Sequence, residues 1–171
     1  MQERKGIIES KGKQLTLLGP EIRVGDKAPD FRVVDAALAP VTLGDFRGKV
    51  KVIASVPSLE TSVCDTETRR FNQEAANLQE NVVVLTISMD LPMAQKRWCA
   101  AAGVDRVKVL SDYQDRSFGS AYGVLIKETK LLSRSVFVVD AKDVVRYVQH
   151  VKAVGTEPDY DAVLAALKAL L

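Results

Sequence analysis

The chain carries two cysteines, Cys64 and Cys99, and one histidine, His150. These are too few to build a structural zinc site, which takes four nitrogen or sulfur ligands. Two thiols can instead form a redox pair, or pack inertly as small apolar side chains. Cys64 ends the segment Pro57-Ser58-Leu59-Glu60-Thr61-Ser62-Val63-Cys64, where an apolar run hands over to a polar stretch of helical character. A thiol at a helix start lies in the positive field of that terminus, which favours the thiolate, the nucleophilic form. Thr61, three residues upstream, would place a hydroxyl beside the sulfur, and Pro57 would screen the anion from bulk water. Arg134 stands just ahead of the strand Val136-Phe137-Val138-Val139, a position that suits a guanidinium facing an anion at the sheet edge. Thiolate, hydroxyl and guanidinium together would hold both oxygens of a peroxide and stabilise the charge that develops as the O–O bond breaks. Taken singly, the same residues have plainer readings: Cys64 and Cys99 as core, Thr61 as a helix cap, Arg134 as a surface ion-pair residue.

The elements that must position these groups follow from patterning. Val50 to Val56 is nearly continuously apolar, as in a buried central strand, and Pro57 ends it. Residues 62–78 read as a helix with Val63, Phe71, Ala75 and Leu78 close to one face. Val82 to Ser88 is a second buried strand. Asp90 then reads as an N-cap and Pro92 as a first-turn residue of a helix over Met93 to Ala102, which carries Cys99 and is closed by Gly103. Val107 to Asp112 predicts a third parallel strand, and Ser117 to Tyr122 a short helix. Leu132 to Asp140 and Asp143 to Val151 predict a hairpin, and Tyr160 to Leu171 a terminal amphipathic helix. Upstream, Lys13 to Leu18 and Glu21 to Val24 suggest a hairpin turning at Gly19-Pro20. The order β-α-β-α-β, then a β-hairpin and a helix, outlines an α/β protein: a thioredoxin-like fold with a mixed sheet flanked by helices and an N-terminal β-hairpin, in one domain over residues 1–171.

Charge and hydropathy narrow the function classes. The 24 basic and 22 acidic residues nearly cancel, and Arg69-Arg70 is the nearest thing to a basic patch, so nucleic acid is not expected as a partner. No apolar stretch approaches the roughly 20 residues of a membrane helix, and the polar start Met1-Gln2-Glu3-Arg4-Lys5 is unlike a secretory signal, so a cytoplasmic protein is expected. A structural disulfide is not expected in a reducing compartment. No Gly-rich nucleotide loop or histidine cluster is present, and no metal or organic cofactor is expected.

The stretch from Pro57 to Asn72 resembles the peroxidatic-cysteine segment of the bacterial thiol peroxidases, the atypical two-cysteine branch of the peroxiredoxins. It contains their Pro-x-x-x-Thr-x-x-Cys pattern at Pro57, Thr61 and Cys64. Further agreement lies in Gly25 to Phe31, in Ser88 to Pro92 leading to Cys99, and in Leu131 to Val138 around Arg134, so the likeness runs over essentially the whole chain. It implies that Cys64 is the peroxidatic cysteine, Cys99 the resolving one, Thr61 and Arg134 the activating pair, and Pro57 the shield. It further implies a hydroperoxide substrate, a sulfenic acid, an intramolecular disulfide, thioredoxin as reductant, and a homodimer. Trp98 and Ala100 depart from the pattern conservatively. Leu59 and Val63, as apolar neighbours, suggest a larger alkyl hydroperoxide.

A disulfide needs Cα atoms within about 7 Å, and the cysteines sit on different helices, so one helix end is expected to unwind during the reaction. A peroxide-sensing switch or a chaperone-like scaffold would use the same cysteines, whereas a Cys-x-x-Cys oxidoreductase is excluded by Thr61 and Glu67. A Cys–His hydrolase would need His150, which falls in a strand far along the chain.

Overall fold

A computed structural model describes all 171 residues. The chain opens with a hairpin of β1 (Glu3–Ser10) and β2 (Lys13–Leu18), turning at Lys11-Gly12. The strands β3 (Arg32–Val34) and β4 (Pro40–Thr42) follow, then a turn of 3-10 helix over Leu43–Phe46. The central part alternates β5 (Val50–Ser55), α1 (Ser62–Ala75), β6 (Val82–Ser88), α2 (Pro92–Ala102) and β7 (Lys108–Ser111). It is completed by α3 (Ser117–Ala121), β8 (Leu125–Ile126), the hairpin of β9 (Ser135–Val139) with β10 (Val145–His150), and α4 (Tyr160–Lys168). No helix is long and apolar enough to cross a membrane.

Seven strands form one mixed sheet in the order β10-β9-β5-β6-β7-β3-β4. β5, β6 and β7 run parallel, joined by α1 and α2 as crossovers, while β9 returns antiparallel beside β5. The period-2 alternation of strands sorts side chains onto two faces. Val50, Val52 and Ala54 of β5 join Val136 and Val138 of β9 under α1, α2 and α4. Ile53, Phe137 and Val139 face the other way, against Phe118 and Tyr122 at α3 and the segment from Ile22 to Phe46. Both faces are covered, which is why β5 reads as a continuous apolar run.

The expected elements recur with five corrections. The N-terminal hairpin pairs β1 with β2, and Glu21 to Val24 forms no strand; the turn at Gly19-Pro20 instead carries the chain away from β2. β2 also pairs with β8, two residues too short to read from the sequence, making a separate three-stranded sheet over a small core of Ile8, Leu17 and Ile126. The N-cap of α2 is Leu91, because the Asp90 carboxylate is taken up elsewhere. The buried face of α1 is Cys64, Glu67, Thr68 and Phe71, while Val63 is only partly buried, and α1 and α4 end three residues before the expected positions. An apolar count misses that face because two of its four residues are polar.

The hairpin is locked to the rest of the chain by backbone proximity. Gly123 has φ +65°, and a Cβ there would lie 2.0 Å from the Pro20 carbonyl oxygen and 2.6 Å from Arg4 Nη1. Its own carbonyl accepts a 2.9 Å hydrogen bond from that Arg4 nitrogen. Gly123→Ala is therefore expected to lower unfolding free energy by on the order of 3 kcal/mol, combining left-handed strain with a clash against backbone. Urea denaturation checks this; a loss under about 1 kcal/mol would show that the contact relaxes.

Candidate active site

Cys64 lies in the first turn of α1, at the carboxyl end of the central strand β5, where Pro57 and the loop to Glu60 lift the chain off the sheet. That loop is held from below by one carboxylate. Asp90 accepts hydrogen bonds from Ser58 Oγ at 2.7 Å, Leu59 N at 2.9 Å and Ser88 Oγ at 2.7 Å, tying the end of β5 to the end of β6. Thr61 is the N-cap: its hydroxyl accepts from the Cys64 N–H at 3.4 Å and donates to the Ser58 carbonyl at 3.1 Å. Thr61 thus fixes the helix start, and in this state its hydroxyl bonds backbone rather than the sulfur.

Arg134 arrives from the residue before β9, the strand beside β5. Its Nη2 lies 3.1 Å from Cys64 Sγ, and Nε and Nη2 also donate to the Val154 carbonyl at 3.2 and 3.1 Å. Nη1 donates to Glu67 Oε2 at 2.5 Å, and both side chains of this ion pair are 1% exposed. The reading of Arg134 as a surface ion-pair residue is thereby overturned. Glu67 was missing from the expected set; its place one turn after Cys64, on the same helix face, is the signal that could have found it. Burial pushes the Glu67 carboxyl up, to about 7, against the pull of the Arg134 charge.

Cys64 itself has no exposed surface. Beside it opens a cavity of about 430 Å³ lined by Pro57, Thr61, Ser62, Val63 and Arg134, with residues 153–156 and the β1–β2 turn at Ser10 and Lys11 as its other walls. Four of the five expected site residues therefore converge on one place with Arg134 touching both the cavity and the sulfur, although the exposure expected of a reactive thiol is absent. Leu59 is buried in the core and does not line the cavity, whereas Val63 does.

Cys99 stands apart on α2, half-buried, and both cysteines are free thiols. Burial pushes the Cys99 thiol up. The two cysteine-bearing helices are nonetheless linked through the cysteines' sequence neighbours: Trp98 Nε1 donates to Asp65 at 3.1 Å. Arg69 pairs with the same carboxylate, places its guanidinium 5.8 Å from the centre of the Trp98 ring, and donates to the Ala102 carbonyl at 3.2 Å. No group of three or more His, Cys, Asp or Glu side chains is arranged to hold a metal ion.

His150 lies at the end of β10 and is bound to Ser135, not to a thiol: its Nδ1 is 2.9 Å from the hydroxyl. Burial, and then the Arg4 charge, lower its pKa to about 4. The native state thus favours the neutral ring. Its contribution is intact above the ordinary value near 6.5 and is lost as pH falls from there to about 4, a change of about 3 kcal/mol. The difference in unfolding free energy between wild type and His150→Gln should move by that amount against wild type between about pH 7 and pH 4. A pH-independent difference would mean that the ring takes up its proton unopposed.

A fold of this topology with a cysteine–arginine contact at the carboxyl end of the central strand defines a thiol-chemistry protein of the thioredoxin-like class. The chain belongs to the Redoxin family, whose model matches residues 23–164. It is 56% identical over 164 residues to a thiol peroxidase of Halalkalibacterium halodurans, covering 96% of this chain and 98% of that one. It is 51% identical to a thiol peroxidase of Bacillus subtilis over the same share of each chain. Among solved structures, a peroxiredoxin-like protein from Aquifex aeolicus superposes with a TM-score of 0.91 at 43% identity, covering 98% of this chain and 99% of that one. A thiol peroxidase from Chromobacterium violaceum shares the fold, with a TM-score of 0.85 at 24% identity and 95% of each chain covered.

Proposed function

We propose that the protein is a thiol-dependent peroxidase that reduces hydroperoxides through Cys64, with Cys99 as the resolving thiol. The observation that carries this reading is the buried 3.1 Å contact between Arg134 Nη2 and Cys64 Sγ, beside a cavity that Arg134 also lines, which places a fixed cation against the sulfur. The Cys64 thiolate attacks the terminal oxygen of a hydroperoxide, the O–O bond breaks, and the leaving oxygen takes a proton to become water or alcohol. Arg134, which meets both sulfur and cavity, stabilises charge on the breaking bond. Thr61 joins it by exchanging its Ser58 carbonyl for a peroxide oxygen, and Pro57 closes the wall. The Cys64 sulfenic acid then condenses with the Cys99 thiol, forming the disulfide and releasing water. A dithiol reductant of the thioredoxin type regenerates both thiols and becomes a disulfide itself.

Cys64 is wholly buried on one helix and Cys99 half-buried on another, so resolution requires the first turn of α1 or the Cys99 turn of α2 to open. The Asp65–Trp98 bond is among the contacts that must break. Residues 1–171 act as one unit in this reading, a homodimer of them in the cytoplasm, and no cofactor takes part. The test is coupled NADPH oxidation with thioredoxin, thioredoxin reductase and hydroperoxide. Wild type should turn over repeatedly, while Cys99→Ser should consume about one equivalent of peroxide and stop, with its sulfenic acid left unresolved. Equal sustained rates in both proteins would remove Cys99 from the cycle, and one turnover in wild type would favour a sensing role.

A further inference from the structure

Two acids share the single positive charge of Arg134. Its Nη2 meets Cys64 Sγ and its Nη1 meets Glu67 Oε2, at 3.1 and 2.5 Å. The three side chains form one buried cluster, and ionising both acids would leave it with an uncompensated negative charge, the arrangement a low-dielectric site resists most. Glu67 uses only one of its oxygens: Oε1 is buried and has no hydrogen-bond partner. As a carboxylate Glu67 would leave half its charge bare. As a neutral acid it carries the proton on Oε1, where an unpaired hydroxyl costs less in a buried site than an unpaired charge, and it still accepts from Arg134 through Oε2.

The groups facing Glu67 from neighbouring elements add no second cation. Glu157, in the segment after β10, repels its charge, and Tyr160 of α4 donates to Glu157. Arg70, further along α1, is engaged by Glu74 and the Tyr160 ring. Arg134 is the only positive charge in hydrogen-bonding contact with Glu67.

We propose that Glu67 is a positioning residue that also holds a proton on behalf of Cys64: it is the neutral acid while Cys64 is a thiolate, and becomes the carboxylate partner of Arg134 when the sulfur loses its charge. This rests on the reading of Cys64 as the peroxidatic thiolate. In the peroxide step, Cys64–S⁻, Glu67–COOH and ROOH become Cys64–SOH, Glu67–COO⁻ and ROH. The S–O bond forms and the O–O bond breaks. Sulfur is oxidised, peroxide is reduced, and the proton released by Glu67 balances the one taken up by the leaving oxygen. The guanidinium faces one anion before and after.

Alkylation reports this without the ambiguity of a titrating sulfenic acid. In Cys99→Ser protein near neutral pH, Cys64 is blocked with iodoacetamide in a weakly buffered solution containing a pH indicator, while thiolate ultraviolet absorbance is followed. The expected result is loss of the thiolate signal together with release of about one proton per Cys64, falling to near zero in Cys99→Ser/Glu67→Gln. Loss of the signal with no proton release in the Cys99→Ser protein would overturn the inference and leave the peroxidase reading standing. Absence of a thiolate signal would instead count against Cys64 as the peroxidatic thiolate. Should the Glu67→Gln protein not fold, infrared spectra of the Cys99→Ser protein decide alone. A protonated-carboxyl band that disappears on alkylation supports the proposal, and no such band contradicts it.

Discussion

Arg134→Ala is expected to lower unfolding free energy by about 3–5 kcal/mol and peroxide kcat/KM by about 10²–10³-fold. The stability loss follows from what the arginine leaves behind. Its guanidinium is the hydrogen-bond partner of both Cys64 and Glu67, and the donor to the Val154 carbonyl, so truncation leaves the one negative charge of that buried pair uncompensated and frees the segment that walls the cavity. Because the Glu67 carboxyl already titrates near 7, and without its partner higher still, the loss should be smaller in mild acid than above neutrality. Arg134→Lys separates the two effects. A lysine keeps the charge but cannot meet Glu67, Val154 and Cys64 together, so it should recover part of the stability and little of the activity. Equal recovery of both would mean that charge alone, without the forked geometry, is sufficient. Urea unfolding and initial rates with hydrogen peroxide measure the two quantities.

Cys64→Ser should abolish peroxide reduction, by at least about 10³-fold, because a neutral hydroxyl beside Arg134 is not a nucleophile at neutral pH. It should leave stability within about 1 kcal/mol, since serine is close in volume and retains an oxygen for the guanidinium. That combination, full loss of activity with near-native stability, distinguishes a reacting thiol from a packing one. A substantial residual rate would assign the chemistry to Cys99 or to neither cysteine.

Much of this was legible in the sequence because strand and loop signals there are strong. The apolar runs at Val50 to Val56 and Val82 to Ser88 permit little except buried parallel strands, and Pro57 ends the first of them where Cys64 must follow. Arg134 was legible for the same reason: an arginine next to a fully apolar strand must have a partner. Glu67 was legible only weakly, through its place one turn after Cys64, because a glutamate in an otherwise polar helix reads as solvated until Arg134, beside β9, is seen to deliver a cation to it. Asp90 reads as a helix cap from its place before Pro92, yet its carboxylate is drawn to the nearby Ser88 and to Ser58 and Leu59, and the last two contacts exist only once β5 and β6 lie side by side. The pairing of β2 with the two residues of β8 is likewise a tertiary event with no local signature. The Asp65–Trp98 bond joins residues adjacent to the two cysteines, and neither residue type announces it.

The most direct measurement is peptide mapping of the chain after one equivalent of hydroperoxide, quenched with an alkylating agent and digested without reductant. The expected product is a Cys64–Cys99 disulfide within one chain, absent in either single-cysteine variant and removed by thioredoxin. Recovery of Cys64 as a lasting sulfenic or sulfinic acid, with Cys99 alkylated as a free thiol, would contradict it.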